Sequence, residues 1–138
     1  MLASLLPIAA AMTITLGSAA QAAAQSEVRL VASHPRSETE VNAPVERVSL
    51  AFNKVVDLTH LDIEAADGTI TVIYDVFETP DNPRQASNFT DDLKQAVTTP
   101  GKYYVNYGAS VTVGQSTSTL AGFIGFTVTD PEADAPDN

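Results

Sequence analysis

From Glu27 onward, apolar side chains recur at every second position. Val48, Leu50 and Phe52 alternate with Arg47, Ser49, Ala51 and Asn53, the pattern of a strand that buries one face and wets the other. Leu61, Ile63 and Ala65 repeat it, which assigns Asp62 and Glu64 to the outward face. Ile70, Val72, Tyr74 and Val76 follow, then Tyr103, Val105 and Tyr107, and finally Leu120, Ile124, Phe126 and Val128. With Val28 to Ala32 these runs predict at least six short strands, an all-β chain.

Turn residues separate the strands. Asp67-Gly68 marks a hairpin, because glycine accepts the positive φ of a tight turn. Pro100-Gly101 opens another strand, His34-Pro35 and Ala43-Pro44 bracket a polar connection, and Pro80 to Pro83 form a longer loop. Thr90 to Val97, TDDLKQAV, is the one stretch expected to hold a helical turn, with Thr90 as its cap. Gly114 to Thr119, GQSTST, reads as a polar loop, and residues 130–138, DPEADAPDN, as an acidic disordered tail. Several short strands at this spacing fit a β-sandwich or a small barrel.

Ahead of the alternating region lies a different kind of sequence. Leu2 to Leu16 is an apolar run of about 15 residues, short of the roughly 20 that span a bilayer, and small residues follow it. This predicts a signal peptide over residues 1–24, cleaved after Ala22 or Ala24, although no Lys or Arg precedes the run. The alternative is an uncleaved anchor. A periplasmic or secreted location follows from cleavage, with no bilayer insertion afterwards. The remaining length holds one domain, expected over residues 27–129.

Charge narrows the partners. All 7 Lys+Arg and 17 Asp+Glu lie after residue 26, so the exported part carries the whole net charge of −10. Such a surface repels phosphate, which argues against nucleic acid and anionic lipid and leaves cations and basic proteins. There is no cysteine, so disulfides and thiolate chemistry are excluded and stability rests on core burial.

Catalytic patterns are equally sparse. No G-x-S-x-G elbow occurs, and His34 and His60 stand without a partner motif, so no enzyme is expected. Both histidines are assigned to the surface, His34 in a loop and His60 ahead of a strand. Asp57, Asp62, Glu64 and Asp67 lack the spacing of a calcium loop and read as a solvated acidic face. Alternation places Tyr103 and Tyr107 in the core and leaves Tyr104 outside as a contact surface. Asn88-Phe89-Thr90 fits a glycosylation triplet, to which no function is attached.

Three stretches together resemble a known family: LVASHPRSETEVNAPVERVSLAFNKVV, LKQAVTTPGKYYVNY and AGFIGFTV. In order and spacing they are similar to the periplasmic copper-resistance CopC family over most of residues 27–128. The resemblance implies an immunoglobulin-like Greek-key β-sandwich of about seven strands that holds copper and passes it to a copper-transport membrane protein or another periplasmic partner. It also implies a copper(II) site made by an N-terminal His, through amine and imidazole, and a late Asp-x-His pair, since copper(II) takes a tetragonal set of nitrogen and oxygen donors.

Carried onto this sequence, that site lacks its donors. Registering the opening strand puts the N-terminal His at Glu27. Registering the closing strand puts the pair at Ser116, Thr117 and Ser118, and registering the preceding strand puts it at Val113, Gly114 and Gln115, in a loop about three residues longer than the family's. Met1 and Met12 both lie in the export segment, so a methionine-rich copper(I) site is missing too. One makeshift arrangement remains, His34 reaching Glu27 and the α-amine. The expectation is therefore a CopC-like domain with a degenerate copper(II) site and no assigned catalytic, cofactor or metal residue. The alternative is a metal-free structural or protein-interaction domain.

Overall fold

The structure, a computed structural model, describes residues 27–131. The predicted export segment and residues 132–138 of the tail lie outside them. Among the described residues there is no helix, and seven strands join into one curled sheet. They are β1 (Leu30–His34), β2 (Thr39–Asn42), β3 (Val45–Ala65), β4 (Ile70–Asp75), β5 (Arg84–Val97), β6 (Gly101–Val113) and β7 (Ser116–Thr129). The expected all-β class of about seven strands holds.

β3 organises everything else. Its early half pairs with β1 and β5, and its late half pairs with β4 and β6. Between Ala51 and Val56 the register with β5 breaks, because Ala51 faces Asn88 while Val56 faces Ala86. Such a bulge bends a strand sharply, so the runs at 48–52 and 61–65, which read as two strands in the sequence, are one strand that changes direction. The two layers of the expected sandwich are thus two parts of a single curled sheet. β6 and β7 extend the second layer, and β2 closes its edge by a parallel pairing with β7.

Alternation fills the space between the layers. Leu50, Val56, Leu58, Leu61, Val105, Phe126 and Val128 are almost wholly buried, and removing each Leu or Phe from water contributes about 1.5–3 kcal/mol. Phe52 locks the layers together, with its ring edge-on to Phe89 of β5 at 6.1 Å and to Tyr107 of β6 at 5.8 Å. Tyr103 stacks on Phe126 at 5.8 Å and donates its hydroxyl to Thr99. Near the mouth of the curl, Arg84 bonds both oxygens of Asp91 at 2.9 Å and lies 5.4 Å from the ring centres of Tyr74 and Phe89.

Several expectations change. Thr90 to Val97 is not helical but the later part of β5, because Phe89 to Asp92 pair residue by residue with Leu50 to Arg47. The Thr90 hydroxyl meets Ser49 across the ladder at 3.2 Å instead of capping a helix. The polar connection after His34-Pro35 contains β2. The GQSTST loop shrinks to a tight turn at Gly114, whose φ of +63° glycine adopts freely, and Ser116 to Thr119 already belong to β7. The Asp67-Gly68 hairpin stands, with Gly68 at φ +87° and Asp67 accepting the Thr69 N–H.

Candidate functional site

The bend of β3 collects the positions where the family's copper ligands would fall. Asn53, at the bulge, donates to the Glu27 carbonyl at 2.8 Å and accepts from the Arg29 N–H at 2.9 Å, which pins residues 27–29 there. β6 pairs with β3 as far as Ser110 opposite Asp57 and then runs on to the turn at Gly114. The first tie is at residue 53 of β3 and the second at residue 57. At this end lie Glu27, Ser116, Thr117 and Ser118, all exposed, with Val113, Gly114 and Gln115 in the hairpin tip. One hydroxyl is already engaged, Thr117 with Thr112 at 3.1 Å. Hydroxyls, an amide and one carboxylate do not fit copper(II), which needs nitrogen donors alongside charged oxygen.

His34 does not repair this deficit. β1 runs antiparallel to β3 with Leu30 opposite Phe52 and His34 opposite Ser49, so His34 points to the other end of the strand. Seven extended residues separate it from Glu27, roughly 20 Å. The His34–Glu27 part of the makeshift site is therefore not assembled, and its α-amine lies outside the described residues.

The late half of β3 builds a different cluster, which the sequence reading missed. Asp62 was placed outward among solvated acids, yet only 6 % of it is exposed. It is covered from two sides. His60 Nε2 lies 2.5 Å from one Asp62 oxygen, and Asn106 Nδ2 donates to the other at 2.8 Å. Asn106 also donates to Glu64 at 3.3 Å, and His60 Nδ1 lies 3.3 Å from Asp75 on β4. His60 is half-buried rather than a plain surface residue. Register explains the meeting: His60 faces Asp75 across one ladder and Gly108 across the other, while Asp62 faces Val72 and Asn106.

The electrostatics follow from this geometry. Burial works to lower the His60 pKa, but hydrogen bonds and charge from Asp62 and then Asp75 outweigh it, and the net shift is upward. Only the imidazolium offers a proton to both carboxylates at once. Asp75 is held below the usual carboxylate range chiefly by the Phe77 N–H, against the opposing effect of burial and with further help from His60. The two ring nitrogens address different carboxylates, so the groups do not converge on one point. Among the described residues no set of His, Asp and Glu is arranged to hold a metal ion.

Elsewhere a groove of about 680 Å³ opens between β4 and β5, floored by Ile63, Ile73, Leu93 and Val97. Of the carboxylates lining it, Asp91 is paired with Arg84, Asp92 with Arg47 at 2.7 Å, and Asp67 accepts the Thr69 N–H. Of the tyrosines, Tyr103 is core, Tyr107 packs at its margin with its pKa raised by burial, and Tyr104 stands on the outer face.

These features define an all-β, acidic domain that presents polar clusters at one end and on one outer face of a curled sheet. The family model described as CopC domain matches residues 30–129, and the chain belongs to the CopC domain family. No match was found among the curated proteins or among the solved structures.

Proposed function

We propose that this chain is an exported, non-catalytic domain of the periplasmic copper-resistance system whose own copper(II) site is degenerate and which works through protein partners. The observation that carries this reading is a mismatch. The family match extends over the whole strand order from Leu30 to Thr129, while the positions registered to the family's ligands hold Glu27 and either Ser116, Thr117 and Ser118 or Val113, Gly114 and Gln115. The fold is kept and the donors are exchanged.

Copper(II) titration of the processed protein, followed by calorimetry and electron paramagnetic resonance, tests the site. The expected result is weak binding without nitrogen hyperfine structure. Tight equimolar binding that disappears in His34→Ala, or on blocking the N-terminus, would restore a working site and overturn its degeneracy. Copper tolerance of a deletion strain tests the role: tolerance should fall and return on complementation. Unchanged tolerance supports the second reading, a metal-free interaction domain, which the exposed Phe123, Ile70 and Val72 favour.

A further inference from the structure

We propose that the outer face of the late β3 region docks a basic protein segment, seating Lys or Arg side chains between Glu64 and the Tyr104–Phe123 pair. This goes beyond copper handling and holds with or without the metal.

Register puts these groups side by side. Glu64 lies opposite Tyr104 on β6 and Ile70 on β4, and Asp62 lies opposite Asn106 and Val72. Phe123 of β7 faces Asn106 and meets Tyr104 edge-on at 5.8 Å. Glu64, half-buried on this face, is thus flanked by apolar groups on both sides, with Phe123 68 %, Ile70 55 % and Val72 45 % exposed, while Asp62 lies buried under His60 and Asn106. Isolated exposed apolar side chains are ordinary, but a contiguous group bordering charge marks a contact surface.

Charge selects the occupant. The exported part carries −10 overall, and such a field draws cationic partners and speeds their encounter. The Tyr104 ring accepts a cation, since Lys102 Nζ lies 5.7 Å from its centre. A partner's Lys or Arg displaces Lys102 from that ring and gains the Glu64 carboxylate, and its apolar residues cover Phe123 and Val72. Phosphate and anionic lipid are repelled by the net negative charge, and so is a second copy of the same chain.

The probe is a short end-blocked peptide alternating Lys and Leu, titrated into the isotope-labelled processed protein and followed by NMR. Saturable shifts should centre on Glu64, Tyr104, Asn106 and Phe123, and weaken as salt rises. Phe123→Ser and Glu64→Gln, both outside the core and checked for an unchanged urea midpoint, should each weaken binding about tenfold. A peptide alternating Glu and Leu should produce no shifts. Any of four results overturns the proposal: shifts centred on the Gly114 hairpin, equal binding of a Lys–Gly peptide, no effect of either variant, or concentration-dependent shifts of this face without peptide, which would mean self-association.

Discussion

Around residues 53–57 of β3 the chain gathers backbone groups, hydroxyls and Glu27, while further along the same strand it gathers His60, Asp62 and Glu64 between Asp75 and Asn106. In the first region only the hairpin tip, with its matched hydroxyls, is made of neighbours in sequence, while Glu27 is held by Asn53 across 26 positions. The second is assembled by pairing, since Asp62 and Asn106 lie 44 positions apart. Family kinship points to the first as the working end, yet ionisable chemistry is concentrated in the second. The ladder that shapes the first end depends on backbone bonds and not on the side chains it carries, so an exchange of donors there leaves the fold in place.

Breaking the joint between the two regions should have the largest effect. Phe52 sits where β3 begins to bend and ties both layers through Phe89 and Tyr107. Phe52→Ala is expected to cost about 3–5 kcal/mol in urea denaturation, with amide protection falling in both regions alike. Loss of protection confined to β1 would show that the late half of β3 stands independently.

A smaller change separates the regions. Asp62→Ala leaves His60 and Asn106 without their shared partner and should cost about 2 kcal/mol, the usual penalty for orphaning buried polar groups. Ser118→Ala, at a position registered to the copper pair, should stay within about 0.5 kcal/mol. Equal costs would erase the contrast. Asn53→Ala removes the two side-chain bonds to residues 27–29 and leaves the bond from the Asn53 N–H to the Arg29 carbonyl. It should cost about 1 kcal/mol and be read most clearly as faster hydrogen exchange of the Arg29 amide.

Local signals explain how much of this was legible. Period-two burial located the strands, and Asp67-Gly68 located one hairpin, because both depend on adjacent residues. The helical turn at Thr90 failed because β5 is held by its partner: Phe89 is buried against Leu50, and that pairing overrides the local preference of TDDLKQAV. The hydroxyl-lined hairpin was visible, although its loop is shorter than it read. Hairpin counting from Gly68 sets His60 opposite Tyr74, and the irregularity between Leu61 and Asp62 moves Asp75 into that place. A bulge leaves no mark in composition, so the His60 cluster stayed hidden and Asp62 read as solvated.

The smallest expected effect isolates that cluster by pH. His60 is raised above its ordinary 6.5, so its contribution is complete below that value and is lost as pH climbs through the folded-state pKa. Asp75 is lowered from its ordinary 3.8, so its contribution is complete above that value and is lost as pH falls through the folded-state pKa. The groups facing the ring are Asp62 on its own strand and Asp75 on β4, both favouring the charged form, so no neighbour reverses the sign. Urea midpoints measured between pH 3 and 9 should therefore be highest in the mildly acidic range between these values and decline on either side. The acid limb is shared with Asp67, which the Thr69 N–H also holds low, so the alkaline limb is the diagnostic one. His60→Gln should flatten it, whereas Ser118→Ala should leave both limbs unchanged, because no titrating group in the hairpin takes part. An alkaline decline that survives His60→Gln would place the responsible proton elsewhere and remove the electrostatic distinction between the two regions.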